Sequence, residues 1–197
     1  MTESPLRLVV LTGSVREGRL APAITDWFIS HTKPRTDIDI DLVDLIDHPL
    51  PLSRDISPET QSAHTTQLQQ GLASRLAAAD GFVVVTPEYN HSFPAALKNV
   101  LDWFIEEWAA KPVAFVSYGG MGGGLRAVEQ LRQVYAELHA VTVRDGVSFH
   151  HAWEHVGADG RLRGPDGSET AAKNMLDQLV WWGKALRQAR SESPYRR

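Results

Sequence analysis

Short apolar runs alternate with amphipathic stretches along most of the chain. Leu8-Val9-Val10-Leu11 ends at a Gly-Ser turn, and Phe82 to Val85 and Val113 to Val116 have the same unbroken apolar character. Runs of that length and kind read as strands buried on both faces of a parallel sheet. Ile38 to Leu45 differs, because its apolar residues alternate with aspartates, which predicts a second strand nearer the sheet edge. The stretches between have helical spacing. Ile24, Trp27 and Phe28 share one face between Pro22 and His31, and Leu68, Leu72 and Leu76 recur at every fourth position within residues 59 to 79. Leu125, Val128, Leu131 and Leu138 mark a helix ending near His139. Further helices are expected from about Pro94 to Trp108 and from about Glu169 to Arg187. A fifth strand falls between Ala140 and Phe149, where Arg144-Asp145-Gly146 breaks the pattern.

Alternation of strand and helix with short links predicts an α/β fold, a doubly wound five-stranded parallel sheet with helices on both faces and strand order 2-1-3-4-5. One domain is expected over residues 1–190. Residues 191–197 are expected to be a disordered tail, and residues 154 to 169 a hairpin at Asp159-Gly160 or a mobile flap. The net charge of −4 shows no basic stripe, which argues against a nucleic-acid surface. Without cysteine there is no disulfide, thiolate nucleophile or thiolate metal site. No apolar run approaches the ~20 residues that span a bilayer, and Met1 to Pro5 carry no secretory pattern. A soluble, cytoplasmic protein is expected.

In such a sheet ligands bind outside the carboxyl ends of the strands, where the strand order reverses. The loops after strands one, three and four should therefore meet. The first, TGSVREGRLAP, opens a helix with Pro22 in its first turn, and a helix start attracts anions. Ser14, Arg16 and Arg19 add donors for a terminal phosphate; the plainer alternative is a tight turn with solvated arginines. Neither G-x-G-x-x-G nor a Lys-Ser/Thr pair follows. The second loop runs through Pro87, Glu88, Tyr89, Asn90 and His91, with Ser92 as the expected N-cap of a helix starting near Pro94. The N–H groups of Glu88, Tyr89 and Asn90 are expected to face a flat heterocycle with Tyr89 against it; alternatively this is a capping turn. The third, SYGGMGGGLRA, is glycine-rich enough for the backbone to approach a ligand closely.

Together, GSVREGR, PEYNHSFPAALKNVLDW and SYGGMGGGLRA resemble the NADPH-dependent FMN reductase family, over roughly residues 6 to 150. The resemblance implies a flavodoxin-like fold, bound FMN and NADPH or NADH as co-substrate. It assigns Ser14, Arg16 and Arg19 to the FMN phosphate, Pro87, Glu88, Tyr89 and Asn90 to the isoalloxazine ring, and Ser117, Gly119 and Gly120 to the ring's other edge, with Leu20 also among the cofactor-binding residues. Many relatives have a Ser-Asn pair where this chain has Arg19-Leu20-Ala21. The implied activity passes hydride from NAD(P)H to FMN and on to a small-molecule acceptor such as a quinone, flavin, azo compound or metal oxyanion. It needs no catalytic side chain and no metal; an electron carrier or a non-redox binding module is the alternative.

Several other features have plainer readings. His151 and His155 have helical metal-pair spacing but no further ligand. Lys98 and Asp102 are expected to be a helix ion pair, and Asp41, Asp44 and Asp47 a solvated edge. Trp103, Trp108, Trp181 and Trp182 are expected at a subunit contact of a homodimer or homotetramer.

Overall fold

The computed structural model describes residues 4–53 and 61–196. Strands β1 (Leu6–Thr12), β2 (Ile38–Asp44), β3 (Gly81–Pro87) and β4 (Pro112–Tyr118) alternate with helices α1 (Ala21–Thr32), α2 (Ala63–Ala77), α3 (Ala95–Trp103) and α4 (Leu125–Glu137). After α4 come two short strands, β5 (Val141–Thr142) and β6 (Val147–Phe149), and a long helix, α5 (Ser168–Glu192). All pairings are parallel and the order is β2-β1-β3-β4-β5, with β6 also on β4. The expected fifth strand is thus two pieces. Arg144-Asp145-Gly146 bulges out between them, and Arg132 donates to the carbonyls of Val143 (2.7 Å) and Arg144 (3.0 Å).

Strand side chains point alternately to opposite faces, and each face is sealed by its own helices. Leu8, Val10, Val83, Val85 and Val116 pack with Ile24 and Phe28 of α1 and with Met175 and Leu179 of α5. Val9, Leu11, Phe82, Val84 and Phe115 pack with Leu72 and Leu76 of α2, Leu97 and Leu101 of α3, and Leu131 and Tyr135 of α4. β3 and β4 are buried at every position, which is why their sequences carry no alternation.

Boundaries differ from expectation where tertiary contacts win. α3 stops at Trp103, not Trp108, because Phe104 turns to an extended conformation and the Trp108 indole donates back to the Phe104 carbonyl at 2.8 Å. That turn places Trp108 against Phe82 and Tyr135. Trp103 and Trp108 are therefore core residues, 4% and 0% exposed, and not a subunit contact. α5 continues to Glu192, so residues 191 and 192, expected within the tail, are helical, and the Tyr195 hydroxyl bonds to His139 Nδ1 at 2.7 Å. α2 begins at Ala63; residues 59 and 60 of the expected helix lie outside the described residues. Residues 156–162 form the expected hairpin, with Val156 bridged to Leu162 around Gly160 at φ 73°.

Candidate active site

The register aligns Thr12 with Val85 and Pro87 with Tyr118, so the loops leaving β1, β3 and β4 emerge side by side. They enclose a cleft of about 310 Å³ lined by Arg16, Arg19, Leu20, Glu88, Tyr89, Tyr118, Gly119, Gly120 and Trp153, among others. That volume lies in the range of small-molecule sites.

The first loop is tied at its start, where the Gly13 N–H donates to the Val85 carbonyl at 2.9 Å. Beyond it, the N–H groups of residues 14 to 18 find no acceptor among the described residues. The N-cap of α1, Leu20, supplies no side-chain cap, and Pro22 occupies the first turn. Successive open N–H groups ahead of an uncapped helix start form an anion cradle. Ser14 is fully buried, its hydroxyl 2.7 Å from the Tyr89 hydroxyl. Arg16 is exposed and makes no ion pair among the described residues.

Arg19 is held differently. Its Nη1 donates to the Ser14 carbonyl and Asp44 Oδ1, both at 2.6 Å, and its Nη2 to Asp44 Oδ2 at 2.7 Å. The Asp44 carboxylate holds the guanidinium above its usual range by hydrogen bonding, against the opposing effect of burial. Asp44 also accepts from Ile46 N–H at 3.2 Å. It is therefore no part of a solvated edge, and Asp41 likewise pairs with Arg7 (2.7 Å) and Arg75.

The second loop corrects the expectation for its backbone. Glu88 N–H donates to the Tyr118 carbonyl at 3.0 Å and Tyr89 N–H to the Ser92 carbonyl at 2.8 Å, so neither is open to a ligand. Ser92 N–H returns to the Tyr89 carbonyl at 3.1 Å, with Asn90 and His91 at φ 49° and 75° between them. Positive φ at both central residues gives a hairpin turn whose twist matches its flanks. Asn90 sits at its exposed tip, away from the cleft wall. Ser92 does not cap α3; Pro94 is the N-cap, and the Ser92 hydroxyl donates to Gln130 Oε1 at 2.6 Å. The Glu88 carboxylate accepts from Arg126 Nε at 2.8 Å and from Arg126 N–H at 3.3 Å in the first turn of α4.

The third loop presses onto β4 because Gly124 adopts φ 84°; a Cβ there would lie 2.7 Å from Ser117 Cβ. Ser117 is buried with its hydroxyl donating to the Gly123 carbonyl at 2.9 Å, which makes it a brace for the loop and not part of the cleft wall. Gly119 and Gly120 do line the cleft. Their carbonyls accept from Ala152 N–H (3.1 Å) and His151 N–H (3.0 Å), fixing a short helical turn that brings Trp153 to the rim. A Cβ on Gly120 would meet the Trp153 ring at 3.4 Å. His150 Nδ1 is 2.8 Å from the Met121 carbonyl, and His151 packs edge-on to Trp153.

Of the residues expected at the site, Arg16, Arg19, Leu20, Pro87, Glu88, Tyr89, Gly119 and Gly120 converge on the cleft, and Ser14 lies just beneath. Asn90 and Ser117 do not join them. Tyr118, Trp153 and Asp44 were missed. Tyr118 stood inside the third motif, but only burial reveals its interest. Its hydroxyl is buried beside the Ser14–Tyr89 hydroxyl pair and has no hydrogen-bond partner among the described residues. Desolvation raises its pKa well above the ordinary tyrosine value.

Comparison with known proteins agrees with this geometry. The structure superposes on the flavoenzyme NAD(P)H:(acceptor) oxidoreductase FerB from Paracoccus denitrificans with a TM-score of 0.70 and 21% identity, covering 91% of this chain and 98% of that one. The fold is accordingly that of the flavodoxin-like flavoenzymes. The sequence model for NADPH-dependent FMN reductase matches residues 6–154, and the chain belongs to that family. It is 42% identical over 130 residues to the NAD(P)H-dependent FMN reductase C4B3.06c of Schizosaccharomyces pombe, a match spanning 65% of this chain and 64% of that protein. It is 33% identical over 147 residues to a quinone reductase of Escherichia coli K12, covering 70% and 73% of the two chains.

Proposed function

We propose that this chain is an FMN-dependent NAD(P)H oxidoreductase acting on a small-molecule acceptor of the quinone, flavin, azo-compound or metal-oxyanion class, quinones foremost. The quinone preference is supported by relatives named for that activity. The observation that carries the reading is the run of open N–H groups at residues 14 to 18 beside Arg16, leading into a cleft rimmed by Tyr89 and Trp153. The orphaned Tyr118 hydroxyl, buried against that cleft, supports the fit of a phosphorylated aromatic cofactor, since a buried polar group without a partner costs about 1–3 kcal/mol.

When bound, FMN supplies the redox ring that takes hydride from the nicotinamide and reduces the acceptor. The open N–H groups, Arg16 and Arg19 would hold its phosphate, with Ser14 and Tyr118 as neutral hydroxyls. Pro87, Glu88 and Tyr89 would face one side of the ring, and Gly119, Gly120 and Trp153 the other. No side chain is assigned proton transfer.

The test is the visible spectrum of the FMN-loaded protein under anaerobic conditions. Bleaching on addition of NADPH or NADH and recovery with a quinone is expected. Retained FMN that neither nicotinamide bleaches would instead make the protein an electron carrier, and failure to take up FMN would make it a binding module. We extend the proposal to a homodimer or homotetramer, supported by the exposed apolar residues Ile46, Leu52 and Trp181, and to a cytoplasmic location, which the cysteine-free sequence suits. A solution mass equal to one chain would overturn the oligomer. No helix among the described residues is long and apolar enough to cross a membrane.

A further inference from the structure

We infer that Asp44, a residue on the edge strand outside all three loops, is a positioning residue for the phosphate end of the site. It fixes Arg19 so that one particular edge of the guanidinium is left for a phosphate monoester. The inference rests on reading the cleft as an FMN site and goes further by naming what sets the geometry of its cationic group.

Donor accounting carries it. Nη1 of Arg19 is used on both hydrogens, by the Ser14 carbonyl and Asp44 Oδ1, and Nη2 on one, by Asp44 Oδ2. The Nε–H and the second Nη2–H are left without an acceptor among the described residues. These two lie on the same side of the planar group, the fork that binds two oxygens at once. The chain uses that fork elsewhere: Arg35 grips Asp37 through Nε (2.8 Å) and Nη2 (2.7 Å). The Arg19–Asp44 pair is partly buried, with side chains 13% and 20% exposed, so the guanidinium cannot swing freely. Arg19 lines the cleft, and the unpartnered Tyr118 hydroxyl is a second, independent sign that a polar ligand completes this corner.

Asp44 could in principle act the opposite way, as an anion that repels a phosphate. The two roles have opposite consequences. A positioning carboxylate makes FMN bind better than it would without it; a competing one makes it bind worse. Riboflavin has the same ring and no phosphate, so it reports on everything except this corner.

The experiment titrates wild type, Asp44→Asn, Asp44→Ala, Arg19→Ala and the Arg19→Ala/Asp44→Ala double variant with FMN and with riboflavin, following flavin fluorescence. Both Asp44 variants should bind FMN roughly tenfold to a hundredfold more weakly, as expected for losing a bidentate charge-assisted contact. Riboflavin affinity should stay within about twofold, and the double variant should be no weaker than Arg19→Ala alone, because Asp44 acts through Arg19. Asp44→Asn retains the acceptor for Ile46 N–H, so its effect separates orientation from capping. Unchanged or tighter FMN binding, equal losses for both flavins, or additive losses in the double variant would each overturn the role of Asp44 while leaving the cofactor reading intact. A wild-type protein that binds neither flavin would overturn both.

Discussion

The two ends of the parallel sheet treat their polar groups in opposite ways. At the amino end Lys111, Asp80, Arg187 and Arg190 are all matched within the chain. Lys111 is buried with its ammonium on the last carbonyls of α2, Leu76 and Ala77, at 2.8 and 2.9 Å. Asp80 accepts from Arg7 N–H, and Arg187 and Arg190 reach it at 3.5 Å while also tying Ser4 and Ala110 through their carbonyls. At the carboxyl end, residues 14 to 18 keep open N–H groups, Arg16 stands unpaired among the described residues, and Tyr118 buries an unmatched hydroxyl. Matched groups support the fold; a cluster of unmatched ones beside a cleft marks where a ligand is expected. Chemistry alone does not distinguish the ends, since both are rich in arginine. Satisfaction does.

The largest effect expected from breaking this contrast is at the closed end. Burial first, and then the charge of Arg190, lowers Lys111 from 10.5 to about 8. Between those values the unfolded chain holds a proton that the folded chain has lost, so this residue's contribution to stability rises with pH across the window. Below pH 8 both states are protonated, and the two carbonyls offset only part of the cost of burying the charge. Urea unfolding at a series of pH values should show Lys111→Met removing a rise of at most about 3 kcal/mol between pH 8 and 10.5. A wild type and variant that track each other through the window would refute it.

Next in size is the open end. Arg16→Ala should cost FMN binding about 1.5–3 kcal/mol with little change in unfolding free energy, checked by flavin titration alongside thermal unfolding. A smaller and more discriminating pair is Tyr118→Phe and Tyr135→Phe. Both hydroxyls are buried and unpartnered, but Tyr135 lies among Trp108, Phe115 and Leu131 in the core, away from the cleft. Removing either should raise the stability of the ligand-free protein by about 1 kcal/mol, whereas only Tyr118→Phe should weaken FMN. If both variants bind FMN equally, the orphan at the cleft has no ligand meaning. The smallest effect belongs to Lys98→Ala, which removes the exposed i,i+4 pair with Asp102 and should cost only about 0.3–0.5 kcal/mol by chemical unfolding.

How much of this was readable in advance follows the same division. The strand order and both helical layers were legible, because Val83 to Val85 can only be a strand buried on both faces and Leu72 and Leu76 can only share a helix face. The convergence of the three loops followed from topology. What stayed hidden depended on partners distant in sequence. Asp44 resembles its neighbours Asp41 and Asp47 until Arg19, 25 residues earlier, is found against it. The N–H groups of Glu88 and Tyr89 looked open because nothing local shows that Tyr118 and Ser92 accept from them. Trp108 looked like an interface residue because its helix pattern does not announce the turn at Phe104.

The strand alternation in Ile38–Asp44 has one more consequence. Among the described residues β2 pairs only with β1, so its outer side is an edge of the sheet. Asp39 is exposed on that strand, whereas Asp41 and Asp44 are already paired with arginines, and the opposite rim consists of strands only two and three residues long. Short edges of this kind discourage growth of the sheet by strand addition.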